Sequence, residues 1–373
     1  MKVVIVRSNL KEGLGIISGA SGENLNLPIL KHSLFDVSDN RIKLTTTNLE
    51  IAASFLIPGK IIEQGNATIP LGIFQNLINN LQSERLNIEK NKNSIEIKTD
   101  NYQALIQGLA PEDFPIIPKI SDENKNEFIE IDSGVFKEAL SQVVVGTQFS
   151  DLRPELNSVF FNFSLENIKL VATDSFRLAE KTIPSSQFKT NHKNTFKLLV
   201  PLKTNQELLR ILKEGEVLKI YHDLNQILFK TENLEFISRL VDSNFPDYTA
   251  VIPKKFDSEI VVNREELVSA LKLAGIFGSR FSEIKIRVPE AKKTVEVWSV
   301  DETVGENHYF LTAKVQGKAK EANFNWRHLL DGLKAIRGGE VFLGLNSEDN
   351  KPALLKTPSD VFYLYILMPI LKT

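Results

Sequence analysis

The 373-residue chain is 42% hydrophobic, 25% charged and 8% aromatic, with 45 Lys+Arg against 47 Asp+Glu. Those proportions exclude disordered, collagen-like and coiled-coil chains, and the length exceeds the roughly 250–300 residues that one hydrophobic core supports, so two or three domains are expected. A net charge of −2 argues against a strongly basic nucleic-acid protein, and the absence of Cys removes disulfides, zinc ribbons and thiol catalysis.

In chain order, Val3–Val6 is too short an apolar run for a signal-peptide core, and a cytoplasmic location is expected. Leu10, Leu14 and Ile17 then form a helical stripe behind the N-cap candidates Ser8 and Asn9. Phe74, Leu77, Ile78 and Leu81 mark a second helix, and residues 95–106 alternate as a strand hairpin. The extended connector Asp113-Phe114-Pro115…Pro118-Lys119 follows, stiffened by its prolines.

The pattern restarts twice. Phe136, Ala139, Leu140, Val143 and Val144 repeat the stripe behind Asp132/Ser133, and Leu208, Ile211 and Leu212 mark the fourth helix. Val217…Tyr221 and Ile227…Lys230 read as a hairpin, closed by Asn244-Phe245-Pro246…Pro253-Lys254. Leu267, Ala270, Leu271 and Ala274 open the third copy, with Asn263…Glu266 at capping-box spacing. Leu329, Leu330, Leu333 and Ile336 mark the last helix. The final apolar run, 361–371, contains Pro369 and falls short of the ~20 residues of a membrane span.

Residue matches agree with the periodicity. Asn40…Asn48 resembles Glu166…Asp174 at an offset of 126, and the Phe-Pro connectors recur at 131. Leu10, Phe136 and Leu267 are separated by the same two spacings. The expected architecture is α+β, three repeated domains of two helices plus antiparallel sheets, at 1–121, 122–254 and 255–373.

Charge is distributed unevenly. Over the expected helical segments 7–18, 69–82, 133–147, 200–213, 263–280 and 324–337, twelve basic residues face six acidic ones, about +6, which leaves −8 elsewhere. Helices sharing one surface would make it basic, able to hold phosphate backbones without reading sequence and sensitive to salt. Lys and Arg are also ordinary residues of exposed helices. No Gly-x-Gly-x-x-Gly, Walker A, Gly-x-Ser-x-Gly or His-Glu-x-x-His motif occurs, and the five histidines lack metal-ligand spacing. No catalytic residue, metal or cofactor is nominated; a carboxylate site such as Asp174/Asp242 is the enzymatic alternative.

Five segments carry a family resemblance. They are Leu27-Pro28-Ile29-Leu30, Asp151-Leu152-Arg153-Pro154-Glu155-Leu156-Asn157, the stretch Val171 to Ala179, the stretch Ser238 to Lys254, and Met368-Pro369-Ile370. In order and spacing, from end to end, the chain resembles the beta sliding clamp, the processivity subunit of bacterial DNA polymerase III. The resemblance implies a non-catalytic, head-to-tail homodimer whose six domains close into a ring around duplex DNA. It also implies docking of short motifs from the polymerase III catalytic subunit, the clamp loader, other polymerases and repair proteins, at the nucleoid during replication. A clamp-like adaptor that binds partners without encircling DNA is the nearest alternative.

Carried over by motif, the docking groove would have an apolar wall of Leu156, Leu178, Pro246, Val251, Ile366 and Leu367. Its mobile rim would be Met368, Pro369 and Ile370, beside a loop of Thr173, Asp174, Ser175, Phe176 and Arg177. DNA would be met by Lys11, Lys137, Arg153, Lys203, Arg210, Lys213, Lys272, Arg327 and Lys334, with Lys203, Arg210 and Lys213 the strongest candidates. Tyr102, Ala104 and Ile106 would meet Ile276 and Phe277 at the dimer interface. Ser175-Phe176 stands where the family commonly has Gly-His, which makes the rim more apolar, and the 69–82 helix carries no charge.

Overall fold

The computed structural model describes residues 1–120, 127–148, 150, 152–278, 282–289, 294–318, 320–346 and 350–371. Asp151 of the family motif, the end of the expected helical segment 263–280 (residues 279 and 280) and residues 372–373 lie outside them. The first repeat runs β1 (Lys2–Val6), α1 (Arg7–Ile17), β2 (His32–Ser38), β3 (Arg41–Thr47), β4 (Ile51–Ile57), β5 (Gly59–Glu63), β6 (Gly65–Pro70), α2 (Leu71–Asn80), β7 (Arg85–Asn91), β8 (Ser94–Lys98) and β9 (Gln103–Gln107).

The second repeat keeps that order. It comprises β10 (Ile129–Asp132), α3 (Ser133–Val144), β11 (Ser158–Phe163), β12 (Asn167–Thr173), β13 (Arg177–Pro184), β14 (Phe188–Thr190), β15 (Phe196–Pro201), α4 (Leu202–Ile211), β16 (Val217–His222), β17 (Gln226–Lys230) and β18 (Leu234–Arg239). The third has β19 (Ser258–Asn263), α5 (Arg264–Ala274), β20 (Glu283–Val288), β21 (Thr294–Asp301), β22 (Gly305–Gly317), β23 (Lys320–Asn325), α6 (Trp326–Ala335), β24 (Glu340–Leu345), β25 (Ala353–Thr357) and β26 (Asp360–Leu367). Here the 13-residue β22 does the work of two strands in the other repeats.

The pairings among the described residues are antiparallel, and period-2 burial marks several strands: Val3 and Ile5 in β1, or Leu86 and Ile88 in β7, point inward between exposed or half-buried neighbours. The chain forms two compact units. One holds Met1–Gly134, Phe188–His192 and Gln206–Leu240, with a five-stranded sheet (β5-β1-β7-β8-β9) and a nine-stranded one (β14-β10-β16-β17-β18-β4-β3-β2-β6). The other holds Val135–Gln187, Lys193–Asn205 and Val241–Thr373, with twelve strands in the order β15-β11-β12-β13-β26-β25-β24-β19-β22-β21-β20-β23. The middle repeat is divided between them because main-chain pairing crosses the repeat boundaries, β18 on β4 and β26 on β13.

Helix starts follow the strands before them. At α5 the expected cap forms, Asn263 Oδ1 accepting the Glu266 N–H at 3.0 Å. At α1 it does not: the helix opens at Arg7, behind Val6, with no side-chain cap. Pairing of Val6 with Arg85 carries β1 to the helix start, so Ser8 and Asn9 lie inside the first turn. The helices are shorter than expected, and Lys213 and Arg337 fall beyond their ends. Within the six helices nine basic residues face six acidic ones, an excess of +3, half the expected +6.

The Phe-Pro connectors are pinned as well as extended. Phe114 is buried with Ile29 and Leu30 of the Leu-Pro-Ile-Leu motif. No helix among the described residues is long and apolar enough to cross a membrane.

Candidate functional site

The turn between β12 and β13 is shaped by Asp174. Its Oδ1 accepts the N–H groups of Phe176 and Arg177, both at 2.9 Å, while Thr173 Oγ1 donates to the Arg177 carbonyl at 2.7 Å. These local bonds support Ser175 at φ +78°, in the left-handed region. The turn thereby holds Phe176 outward, 62% exposed.

Arg177 folds the other way. Its Nε donates to Asp174 Oδ2 at 2.9 Å and its Nη1 to Asp331 Oδ2 of α6 at 2.7 Å. Burial disfavours the charged guanidinium, but Tyr365, Asp331 and Asp174 outweigh it and hold the pKa above the ordinary arginine value. The Arg177 and Asp174 side chains are 13% and 4% exposed, so this is a buried, charge-paired pin. One Asp174 oxygen is thus given to the turn and the other to Arg177.

Beyond the pin, β13 lies against β26, with Leu178 opposite Ile366 and Arg177 opposite Leu367. Leu178 and Ile366 enter one apolar cluster with Phe160 and Tyr248, against which Phe245 and Ile252 pack half-buried. Phe245 stacks on Phe160 at 4.7 Å between ring centroids. The Tyr248 hydroxyl donates to buried Glu180 at 2.6 Å, and Lys169 Nζ reaches the same carboxylate at 3.0 Å. Burial, then Glu180, push the Tyr248 pKa well up, so the phenol stays a donor.

After β26 the chain end is tied twice. The Met368 N–H donates to the Phe176 carbonyl at 2.7 Å and the Ile370 N–H to the Asn323 carbonyl at 2.8 Å. The rim expected to be mobile is thus held by main-chain bonds, with Met368, Pro369 and Ile370 half-buried. Of the expected wall, Leu156, Leu178, Ile366 and Leu367 are buried, and Pro246 and Val251 are exposed. The accessible apolar surface therefore comes from Phe176, Pro246, Val251 and the three rim residues. Sequence reasoning missed Phe245, Tyr248 and Ile252 as groove residues, because the connector holding them read as a spacer; its two aromatics, Phe245 and Tyr248, were the available signal.

The expected DNA-contacting cations divide into two groups. Lys11, Lys203, Lys272 and Lys334 are exposed, without a carboxylate partner among the described residues. Arg327 is exposed over the Trp326 ring, and Lys137 is half-buried on α3. Arg153 bonds Glu155 and Ser175, each at 3.3 Å. Arg210 and Lys213, two of the strongest candidates, are committed elsewhere. Arg210 donates to the carbonyls of Gly15 and Ile16 at 2.6 and 2.9 Å and pairs with Glu207, and Lys213 pairs with Glu12.

At the expected dimer surfaces, Tyr102 is exposed, Ala104 half-buried and Ile106 buried beneath its own sheet; Leu105, not Ile106, is the exposed apolar residue of β9. Ile276 is exposed and Phe277 half-buried in the turn after α5. A cavity of about 560 Å³ lies between α3, the start of α5 and the end of α6, lined by Gln142, Arg264, Lys334 and Arg337 among others.

Comparison with known proteins covers the whole chain. Family models for the N-terminal, central and C-terminal domains of the DNA polymerase III beta subunit match residues 1–118, 130–247 and 249–371. The beta sliding clamp of Bacillus subtilis is 26% identical over 383 residues, covering 99% of each chain. A solved DNA polymerase sliding clamp from Bacillus subtilis superposes with a TM-score of 0.94 at 25% identity over 100% of both chains. In fold alone, the chain also matches a Pseudomonas aeruginosa sliding clamp bound to griselimycin, at TM-score 0.93 and 22% identity over 100% of both chains. Three domain matches in order over nearly every residue leave one conclusion: the chain belongs to the DNA polymerase III beta subunit family.

Proposed function

We propose that two copies of this chain close head to tail into a six-domain ring around duplex DNA, serving as the non-catalytic processivity subunit of a replicative polymerase. One observation carries the reading. The last strand of the second repeat, β18, pairs with β4, the fourth strand of the first; the last strand of the third, β26, pairs with β13, the fourth strand of the second. The same rule leaves two open halves, β9 at the end of the first repeat and the leading half of β22, the fourth strand of the third. A second copy joins them in both directions, and the array closes. Leu105, 55% exposed on β9, and Phe310, 61% exposed on β22, are the apolar groups such a closure covers.

The free lysines of α1, α4, α5 and α6 would contact phosphates without reading bases. The Phe176–Val251–Met368 surface suits the aliphatic and aromatic anchors of short peptides from the polymerase catalytic subunit, clamp loader and repair proteins. Retention on DNA circles tests the ring. Loaded on nicked circular DNA, the protein should stay bound and be lost when the circle is linearised. Equal loss from circular and linear DNA rejects the ring and leaves the adaptor reading, which the uncharged α2 favours.

A further inference from the structure

The helices repeat as regularly as the strands. α1, α3 and α5 each follow the first strand of their repeat, starting at Arg7, Ser133 and Arg264; α2, α4 and α6 are ten residues each, starting at Leu71, Leu202 and Trp326. Corresponding positions can therefore be matched by counting from each start.

Two helix joints form within the chain. Between α1 and the end of α4, Lys213 pairs with Glu12, and Arg210 holds the carbonyls of Gly15 and Ile16. Between α3 and the end of α6, Arg337 Nε meets Glu138 Oε1 at 3.1 Å, and Gln142 Nε2 donates to the Ala335 carbonyl at 3.0 Å. Glu12 and Glu138 occupy one position of the repeat, and Lys213 and Arg337 another. Each joint is latched by an ion pair at the same place.

Burial identifies the third joint. Ile16 and Gln142 are buried, whereas their counterpart on α5, Leu273, is 44% exposed. Gly19 and Val145 are half-buried, whereas Ile276 is 64% exposed. Across the joint, Ile211 and Ala335 are buried and Asn80 is exposed; Leu212 and Ile336 are buried and Leu81 is half-buried. The exposed groups fall at positions that the two internal joints cover.

We propose that α5 of one copy packs on α2 of a second in the same way, and that this joint lacks the ion-pair latch of the other two. The proposal rests on the ring reading. Ser269 stands at the position of Glu12 and Glu138, and Gln82 at that of Lys213 and Arg337; both are exposed. Asn79 replaces Arg210, and α2 has no charge to offer. In its helix layer the joint between copies is therefore held by Leu273 and Ile276 against the Leu77–Leu81 face, insensitive to salt, while each joint inside the chain adds one solvent-exposed ion pair.

Grafting the latch tests this. The double variant Ser269→Glu, Gln82→Lys should tighten the dimer, two joints at about two- to fivefold each giving about four- to 25-fold in Kd near 50 mM salt. The gain should largely vanish near 500 mM, on the order of a 4 Å Debye length. The reversed pair, Ser269→Lys with Gln82→Glu, should tighten it similarly, and neither single substitution should. Sedimentation over a dilution series reads both double variants and the four singles. A double variant equal to the sum of its singles overturns the proposal while leaving the ring intact; wild-type protein that is monomeric at every concentration overturns both.

Discussion

In the proposed docking region, Arg177 ties the β12–β13 turn to α6 through two carboxylates. Replacing it by Met keeps the stem but leaves the nearly buried Asp174 charge uncompensated. The expected cost is about 3 kcal/mol, read as a lowered urea midpoint at unchanged slope. Phe176 should also lose its fixed position, since its N–H and carbonyl both belong to this turn. Met368 and Pro369 test the surface itself. Truncating both to Ala leaves the main-chain tie of Met368 in place, so the fold should hold. Affinity for a peptide with Leu/Phe anchors should nevertheless fall by about tenfold or more, with dimer dissociation unchanged in the same preparation. Undiminished peptide binding would move the docking site elsewhere.

At the level of elements, local chemistry and tertiary pairing compete for the helix starts. Asn263 caps α5 through its side chain, so Asn263→Ala should cost about 1 kcal/mol. Ser8 looks like a cap but lies inside α1, and Ser8→Ala should stay within about 0.5 kcal/mol; parallel denaturation curves decide. The same competition sets what could be read in advance. Stripes such as Leu10–Leu14–Ile17 and alternations such as Ile95–Ile97 are local, and they sufficed for the repeat, the helix pairs and the antiparallel class. The resemblance, not periodicity, pointed to the β12–β13 turn and the chain end. What stayed hidden depends on distant partners: the binding of Arg210 by the Gly15 and Ile16 carbonyls, the stacking of Phe245 on Phe160, and the sharing of sheets between repeats. No spacing along the chain encodes those interactions.

For the whole molecule, the near-neutral total is a sum of unlike parts, but the helices contribute +3 and not +6. A small excess suits a ring that must slide, since retention comes from closure and not from grip. Lys203→Gln with Lys272→Gln removes four lysines from the two-copy ring and should lower the slope of log affinity against log salt by about 4 for duplex DNA, about one for each phosphate no longer neutralised. Lys213→Gln should leave that slope unchanged and instead lower the midpoint of urea unfolding, because its partner is Glu12. The pairing of β18 with β4 has a further consequence, for synthesis. Phe55 meets Leu234, 179 residues downstream. At roughly 5–20 residues per second, a ribosome takes roughly 10–35 s to make the missing strand. Throughout that interval β4 presents an unpaired edge of Ile51-Ala52-Ala53-Ser54-Phe55, open to a neighbouring nascent chain.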